Sequence, residues 1–168
     1  MHTVVLLGLG LLQAGAMDSF SLQAELQGLY DEISQATLQF VTAADVDQFH
    51  DVLYTPDWSF VDAAGQRHGW TQMREQAIQS IAAPRLDSMS QQIQKLSRSP
   101  VGATVVVSLT TVRTIVDNDG RFGKKGASHR LSETTAFRDT WVKASDAWKF
   151  QSRAQVGGPK VQVDKPAY

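Results

Sequence analysis

The fold is decided by LYTPDWSFVDAAGQRHG, residues 53–69. Just before this stretch, apolar side chains recur at the spacing of one helix face. Inside it, Trp58, Phe60 and Asp62 alternate as they would on one face of a strand. The stretch ends in a turn marked by glycine. A helix therefore leads directly into a short strand whose last inward residue is acidic, which makes Asp62 the first candidate for a polar group in a pocket.

Composition sets the class of protein. The chain has 168 residues, a formal net charge of -1 and a pI near 6.4. This length suits one domain with a sizeable core. Nucleic-acid binding normally needs a basic field, which this charge balance does not supply, so DNA and RNA are not expected partners. The sequence has no cysteine, which excludes disulfides, thiolate metal sites and cysteine nucleophiles.

The opening sequence, MHTVVLLGLGLLQAGA, is typical of an export signal. Its apolar run is followed by small residues that fit the rule for signal peptidase, so we predict a signal peptide over residues 1–16. The mature protein is expected to be secreted or periplasmic. Because the segment has no Lys or Arg, a misplaced start codon or an uncleaved apolar leader is the alternative. The run is too short to span a bilayer, and no membrane association is expected after its removal.

The first half of the mature chain has helical periodicity. Asp45 followed by Gln48 resembles a capping box and predicts the start of a second helix. Thr71 is predicted to cap a third helix, which Pro84 ends. A first helix of about 20 residues is predicted from a broad apolar stripe. The stripe consists of Leu22, Leu26, Leu29, Tyr30, Ile33, Thr37, Phe40 and Val41.

The second half is rich in Thr and Val and has the pattern of strands. Four segments separated by turn residues predict an antiparallel meander: SMSQQIQKLS, ATVVVSLTTVRTIV, HRLSETTAFRDTWVK and AWKFQSRAQV. Helices followed by strands indicate an α+β domain over residues 17–156, with three N-terminal helices packed on a curved antiparallel sheet. Residues 157–168 are predicted to be a loose C-terminal tail.

Two segments, LYTPDWSFVDAAG and TWVKASDAWKF, together with this order of elements, resemble the SnoaL-like polyketide cyclases of the nuclear transport factor 2-like superfamily. The resemblance spans about residues 22–156. It implies a cone-shaped α+β barrel, a pocket between helices and sheet, and a homodimer formed through the outer sheet face. Members include isomerases, cyclases, dehydratases, hydrolases and proteins without a reaction, so the resemblance implies no single activity.

The ketosteroid isomerases of that superfamily use a carboxylate base and two donors for an oxyanion, which allows a comparison position by position. The base falls on Asp62 in VDAAG, where Ala63 stands in place of a proline. The tyrosine donor falls on Leu38, and the aspartic acid donor falls on Arg138. Because both donors are replaced, the resemblance implies that the chain does not isomerise steroids by that route.

Asp62 and Arg138 are nevertheless the leading polar candidates for the pocket. A carboxylate beside a guanidinium has a lowered pKa and is a weak base at neutral pH. Three interpretations stay open. The two residues form a structural pair or one of them faces outward, the guanidinium binds an anionic ligand group, or the two residues take part in catalysis.

The histidines are weighed in the same way. His68 lies just past the turn and is a candidate proton carrier at the pocket mouth, with an exposed turn histidine as the alternative. His50 shares a helix face with apolar residues, which indicates a hydrogen-bonded core histidine. His129 has no metal-ligand spacing beside it, so neither a metal nor another cofactor is expected.

A pocket for a flat or cyclic ligand needs apolar walls. We predict that the ligand is bound by Tyr54, Trp58, Phe60, Trp70, Leu38 and Trp148. The alternative is that these side chains only fill the core.

The preferred hypothesis is an exported domain whose pocket binds a small, largely apolar or cyclic molecule. The enzyme alternative is proton transfer of the isomerase, cyclase or dehydratase type, with Asp62 as base, His68 as relay and Arg138 holding developing negative charge. It predicts that Asp62→Asn abolishes activity without loss of folding. A third hypothesis is a non-catalytic dimerisation or association module with a filled interior, whose melting temperature would be indifferent to small molecules.

Overall fold

A computed structural model describes residues 8–83 and 85–164 of the chain, with side chains from Ser19 onward. Over these residues the protein consists of three helices and seven strands, which confirms the α+β class. The helices are α1 (Gly8–Gln39), α2 (Ala43–Leu53) and α3 (Trp70–Ile81). The strands are β1 (Tyr54–Val61), β2 (Arg67–Gly69), β3 (Ser88–Ser99), β4 (Gly102–Val116), β5 (Ser128–Ala144), β6 (Ala147–Gln155) and β7 (Lys160–Val163).

The strands form one open, mixed sheet, in the order β2-β1-β6-β5-β4-β3. Neighbouring strands are antiparallel except β1 and β6, which are parallel. This corrects the expected antiparallel barrel. The early strand β1 pairs with β6 from the end of the chain, and within the described residues the outer strands β2 and β3 do not pair to close the sheet. The third helix follows the short strand and its turn along the chain, so among the described residues two helices, α1 and α2, and not three, precede the sheet.

The C-terminal tail is not simply loose. Lys160–Val163 forms β7, which pairs antiparallel with Leu131–Thr134 of β5. The reason is the length of β5. Its 17 residues extend beyond the nine residues of β6, so its first half would otherwise carry an unpaired edge. The tail supplies the missing hydrogen bonds there.

Predictions about the helix starts need three adjustments. The N-cap of α3 is Gly69, and not Thr71, which is already the second residue of the helix. Thr42, and not Asp45, is the N-cap of α2, and Asp45 is the third helical residue of a capping box: its side chain accepts from the Thr42 N–H at 2.8 Å. The helix α1 already includes Gly8, so it begins within the predicted leader. Residues 1–7 lie outside the described residues, and the signal peptide stays a prediction. None of the helices described is both long and apolar enough to cross a membrane.

The core lies between α1 and the inner face of the sheet. Leu26 and Tyr30 of α1 are fully buried against inward residues of the central strands, among them Val105 and Trp141. The backbones of β4 and β5 approach closely at Gly102, where an added Cβ would lie 2.1 Å from the Trp141 carbonyl oxygen. Glycine at position 102 therefore allows the backbones of β4 and β5 to approach this closely.

Candidate functional site

A cavity of about 560 Å³ lies between α3 and the inner face of β1, β4, β5 and β6. Small-molecule sites commonly have volumes of about 300–1,000 Å³, so the cavity is large enough for one ligand. Four of the predicted ligand-binding residues stand on its wall, and ligand binding by them stays a prediction. The aromatic residues of the wall are Tyr54, Trp58, Phe60, Trp70, Phe137 and Phe150.

His50 supports this wall from behind. Its ring stacks on Trp70 with a centroid distance of 3.7 Å, and on Tyr54 at 5.1 Å. Burial lowers the pKa of His50, although Asp51 lies 3.5 Å from Nδ1 and opposes this effect. Neither ring nitrogen reaches hydrogen-bond geometry with a described residue, so the expected hydrogen-bonded histidine is instead a stacked one. A neutral, stacked imidazole limits the orientations available to Trp70.

The polar end of the cavity is built on Arg153 of β6. Its Nε donates to Asp139 Oδ1 at 2.9 Å and its Nη2 to Asp139 Oδ2 at 2.7 Å, which forms a bidentate pair. Nη2 also donates to Gln91 Oε1 at 2.6 Å. Tyr30 donates to Asp139 Oδ2 at 2.8 Å, and Trp141 Nε1 donates to the Tyr30 hydroxyl oxygen at 2.9 Å. Five side chains from α1, β3, β5 and β6 are thus joined in one buried network.

The network fixes the protonation of its members. Burial alone would lower the pKa of Arg153, but the charge of Asp139 and its hydrogen bonds outweigh burial and hold that pKa above its usual range. Burial, together with the negative charge of Asp139, holds the pKa of Tyr30 far above its ordinary value. Burial also raises the pKa of Tyr54 to about 12. Tyr30 is therefore a neutral hydroxyl donor, and Arg153 and Asp139 form a charge-balanced pair.

Arg153 keeps one donor group for a ligand. It lines the cavity, and its guanidinium lies over the rings of Phe137 and Phe150 at 4.8 and 5.2 Å. Its hydrogen bonds to residues in the described ranges use Nε and Nη2, and none uses Nη1. Nη1 is therefore the group that can donate to a ligand.

The structure does not bring Arg138 to this site. Arg138 is exposed on the outer face of β5, while its neighbour Asp139 is fully buried. The position-by-position comparison fell on Arg138, one residue from Asp139, and one residue along a strand moves the side chain to the opposite face of the sheet. The period-two pattern was a better signal, because Asp139 shares a strand face with Phe137 and Trp141.

Leu38 and Trp148 also lie away from the cavity. Leu38 is half-buried beside a separate cavity with Arg113, and Trp148 lines another near the β5–β6 turn, where Lys143 lies 5.5 Å from its ring centroid. The helical residue that reaches the polar network is Tyr30, eight positions before Leu38. Eight residues amount to about 12 Å along a helix. The comparison position by position therefore fell about two turns too far along α1.

Asp62 and His68 form their own pair at the β1–β2 turn. His68 Nε2 lies 2.9 Å from Asp62 Oδ2, and His68 Nδ1 lies 3.0 Å from Gln72 Oε1. The other oxygen of Asp62 accepts from the backbone N–H groups of Ala64 and Gln66 at 2.9 and 2.8 Å. Neither Asp62 nor His68 is on the cavity wall. His68 stacks against Phe60, which is a residue of that wall. In this arrangement Asp62 stabilises the turn, and Arg138 is not its partner.

The pair makes a pH-dependent contribution to stability that can be measured. The hydrogen bond from His68 is the main cause that lowers the pKa of Asp62, and the same bond is the main cause that raises the pKa of His68. Asp62 therefore stabilises the fold above its unfolded pKa of about 3.8, and His68 does so below its unfolded pKa of about 6.5. The free energy of unfolding of the His68→Gln variant is expected to fall furthest below that of the unmodified chain between about pH 4 and 6.5.

The check is urea unfolding of both proteins across pH 3 to 9, at about one-unit steps. The difference in free energy of unfolding should shrink as the pH rises through the folded-state pKa of His68. It should also shrink as the pH falls through the folded-state pKa of Asp62. A difference that stays constant over the whole series would contradict the pairing.

His129 is buried near the loop between β4 and β5. Its Nε2 lies 3.9 Å from Asp117 Oδ2, and Asp117 accepts the backbone N–H groups of Arg121 and Phe122 at 2.9 and 2.8 Å. These contacts organise the loop. Across residues 8–83 and 85–164, three or more His, Asp or Glu side chains do not come together as a metal site.

Comparison with known proteins identifies the fold. No family model matches the chain, and no curated protein matches it. Among solved structures, a conserved protein from Planctomyces limnophilus has 14% identity over 85% of this chain and 99% of that chain, with a TM-score of 0.58. A function-unknown protein from Mycobacterium tuberculosis has 13% identity over 84% of this chain and 73% of that chain, with a TM-score of 0.56.

A third similar structure carries a fold name. It is a nuclear transport factor 2-like protein from Cytophaga hutchinsonii, with 14% identity over 82% of this chain and 95% of that chain, and a TM-score of 0.50. Identities this low carry information on the fold alone. Together with the three helices on a mixed, open sheet, they show that the chain has the nuclear transport factor 2-like fold.

Proposed function

We propose that this chain is a SnoaL-like, exported domain whose cavity binds one small, largely apolar or cyclic molecule. The observation that carries the proposal is the aromatic-walled cavity of about 560 Å³, with Arg153 at one end. Burial of a flat ligand against such walls is favourable because it removes apolar surface from water on both partners. The ligand is expected to present a neutral acceptor, such as a carbonyl oxygen, to Arg153 Nη1. Asp139 already balances the charge of that guanidinium, so an anion would add an uncompensated charge.

Binding is favoured over catalysis because of where the acid–base candidates lie. Asp62 does not line the cavity, and both its oxygens already accept hydrogen bonds. Its lowered pKa also makes it a weak base at neutral pH. The open volume argues against the association hypothesis in the form that required a filled interior. A homodimer through the outer sheet face remains part of the proposal.

A blocked cavity provides the test. Ala77 of α3 lines the cavity, so Ala77→Trp is expected to fill the ligand's space. The probe is prodan, a neutral naphthyl ketone whose emission reports an apolar environment. We expect saturable binding to the unmodified chain and at least a tenfold loss of affinity, about 1.4 kcal/mol, in the Ala77→Trp variant.

The matched control is Gln76→Trp, which adds the same ring at an exposed position of the same helix. It should bind the dye like the unmodified chain. Circular dichroism establishes that both variants are folded. Equal dye affinity in a folded Ala77→Trp variant would contradict the proposed site.

A further inference from the structure

Glu133 is a second charged group on the wall of the same cavity. It lies on β5 opposite Thr111 of β4 and Val161 of β7. Along β5 it shares the inner face with Leu131 and Thr135, because alternate residues of a strand point to the same side. It is half-buried. A carboxylate at this position faces the ligand space, and not the outer surface of the sheet.

Glu133 has no cationic partner in the described part of the chain. No ion pair there includes it. The other charged residue of the wall, Arg153, is paired with Asp139, which lies six residues further along β5. Six residues of strand span about 20 Å between the Cα atoms of Glu133 and Asp139, and Arg153 directs its hydrogen bonds to Asp139 and Gln91.

Arg113 is a cation on the neighbouring strand β4. It is paired with Leu131 on the ladder between β4 and β5, which puts it diagonal to Glu133. Diagonal neighbours are about 7–8 Å apart, a distance that long side chains can bridge, but no ion pair joins Arg113 to Glu133 among the described residues. The Arg113 side chain is exposed and lines a different cavity together with Arg85 and Leu38. Among the described residues, the Glu133 carboxylate therefore gives the main cavity one uncompensated negative charge.

The aromatic walls also favour a ligand with a positive charge. The faces of Trp58, Trp70 and Tyr54 carry negative electrostatic potential and attract cations. An anionic ligand would be repelled by these faces and by the Glu133 carboxylate. The charge of Arg153 would not offset this repulsion, because Asp139 already balances it. A cationic ligand meets an unpaired carboxylate and aromatic rings.

We propose that the cavity selects a monocationic amine with a flat, apolar body, and that Glu133 holds its ammonium group. This inference rests on the proposed function, since it names the class of ligand for that cavity. Glu133 acts as a specificity-determining residue. The aromatic walls contact the body of the ligand, and Arg153 Nη1 is available to an acceptor at the other end.

The test compares three probes that share one ring system: naphthylmethylamine, naphthylmethanol and naphthoic acid, which are cationic, neutral and anionic at neutral pH. Affinities are measured by calorimetry on the full chain. We expect the affinity for the amine to be at least about tenfold higher than for the alcohol, and the affinity for the acid to be the lowest of the three. In the Glu133→Gln variant the amine should lose about tenfold while the alcohol is unchanged.

The control is Glu75→Gln, an equivalent change at an exposed position of α3, which should alter neither affinity. If the alcohol binds, and Ala77→Trp blocks it, but the amine has no advantage in the unmodified chain, this inference is wrong while the proposed function stands. An equal loss of amine and alcohol affinity in Glu133→Gln would also overturn it. If none of the three probes binds, this inference is wrong, and prodan then decides the proposed function: saturable prodan binding leaves it standing, and no prodan binding overturns it.

Discussion

Replacing Asp139 with alanine is expected to destabilise the folded chain by about 3–5 kcal/mol, the usual cost of removing one partner of a buried ion pair. Asp139 is fully buried, and the Arg153 side chain is only 12% exposed, so water does not replace the lost carboxylate. Tyr30 loses the acceptor of its hydroxyl in the same variant. Urea unfolding of the variant and the unmodified chain measures the difference.

Two further variants show whether the cost comes from the unpaired charge. The double variant Asp139→Leu with Arg153→Met removes both charges together, and it should recover most of the stability that Asp139→Ala loses, because a buried pair is often replaceable by apolar side chains. The control, Asp57→Ala, removes an exposed aspartate of β1 and should change stability by less than about 0.5 kcal/mol. A loss below about 1 kcal/mol in Asp139→Ala would show that the pair is not desolvated as described.

Replacing Trp141 with alanine is expected to cost about 3–5 kcal/mol, the range for truncation of a large buried aromatic residue. The Trp141 side chain is fully buried, stacks on Phe150 with a centroid distance of 4.7 Å and meets Tyr30 edge-on at 5.5 Å. It also donates from Nε1 to the Tyr30 hydroxyl oxygen. The variant loses these contacts and leaves a cavity beside the polar network.

The control for Trp141 is the same substitution at Trp148, which is half-buried at the far end of β6. Trp148→Ala should lose less than half as much stability, because its ring lies beside solvent and Lys143 and has fewer buried contacts to lose. Both are measured by urea unfolding, with the slope compared to detect a change in the unfolded state. Equal losses at the two positions would contradict the assigned core.

Local patterns were sufficient for most of the elements and for four of the six residues predicted on the wall of the cavity. Helix spacing before residue 53 and alternation after it predicted α2 and β1, and the same alternation put Trp58 and Phe60 on one face. Those periods follow directly from backbone geometry, so they can be counted along the chain. Tyr54 and Trp70 also stand on the wall of the cavity, where ligand binding by them remains a prediction.

The polar site was not found because its members meet only through tertiary pairing. Asp139 and Arg153 are 14 residues apart and belong to adjacent strands. The register of these two strands shifts by one residue along their length, and the sequence alone does not reveal such a shift. Tyr30 reaches the same carboxylate across 109 positions. The alternation along β5 does predict Asp139 on the inner face, so that part of the error was avoidable.

The amino-acid sequence was enough to predict the α+β class, the lack of cysteine chemistry, a helix that leads into a short strand, and aromatic residues on the inner face of that strand. These features depend on composition and on the periods of helix and strand, which are properties of local chain geometry. Tertiary contacts were needed to learn that β1 pairs with β6, that the tail completes β5, that Arg153 and not Arg138 faces the cavity, and that Glu133 has no ion-pair partner among residues 8–83 and 85–164. Those outcomes depend on strand register and long-range hydrogen bonds, where a slip of one residue exchanges the buried and the exposed side chains.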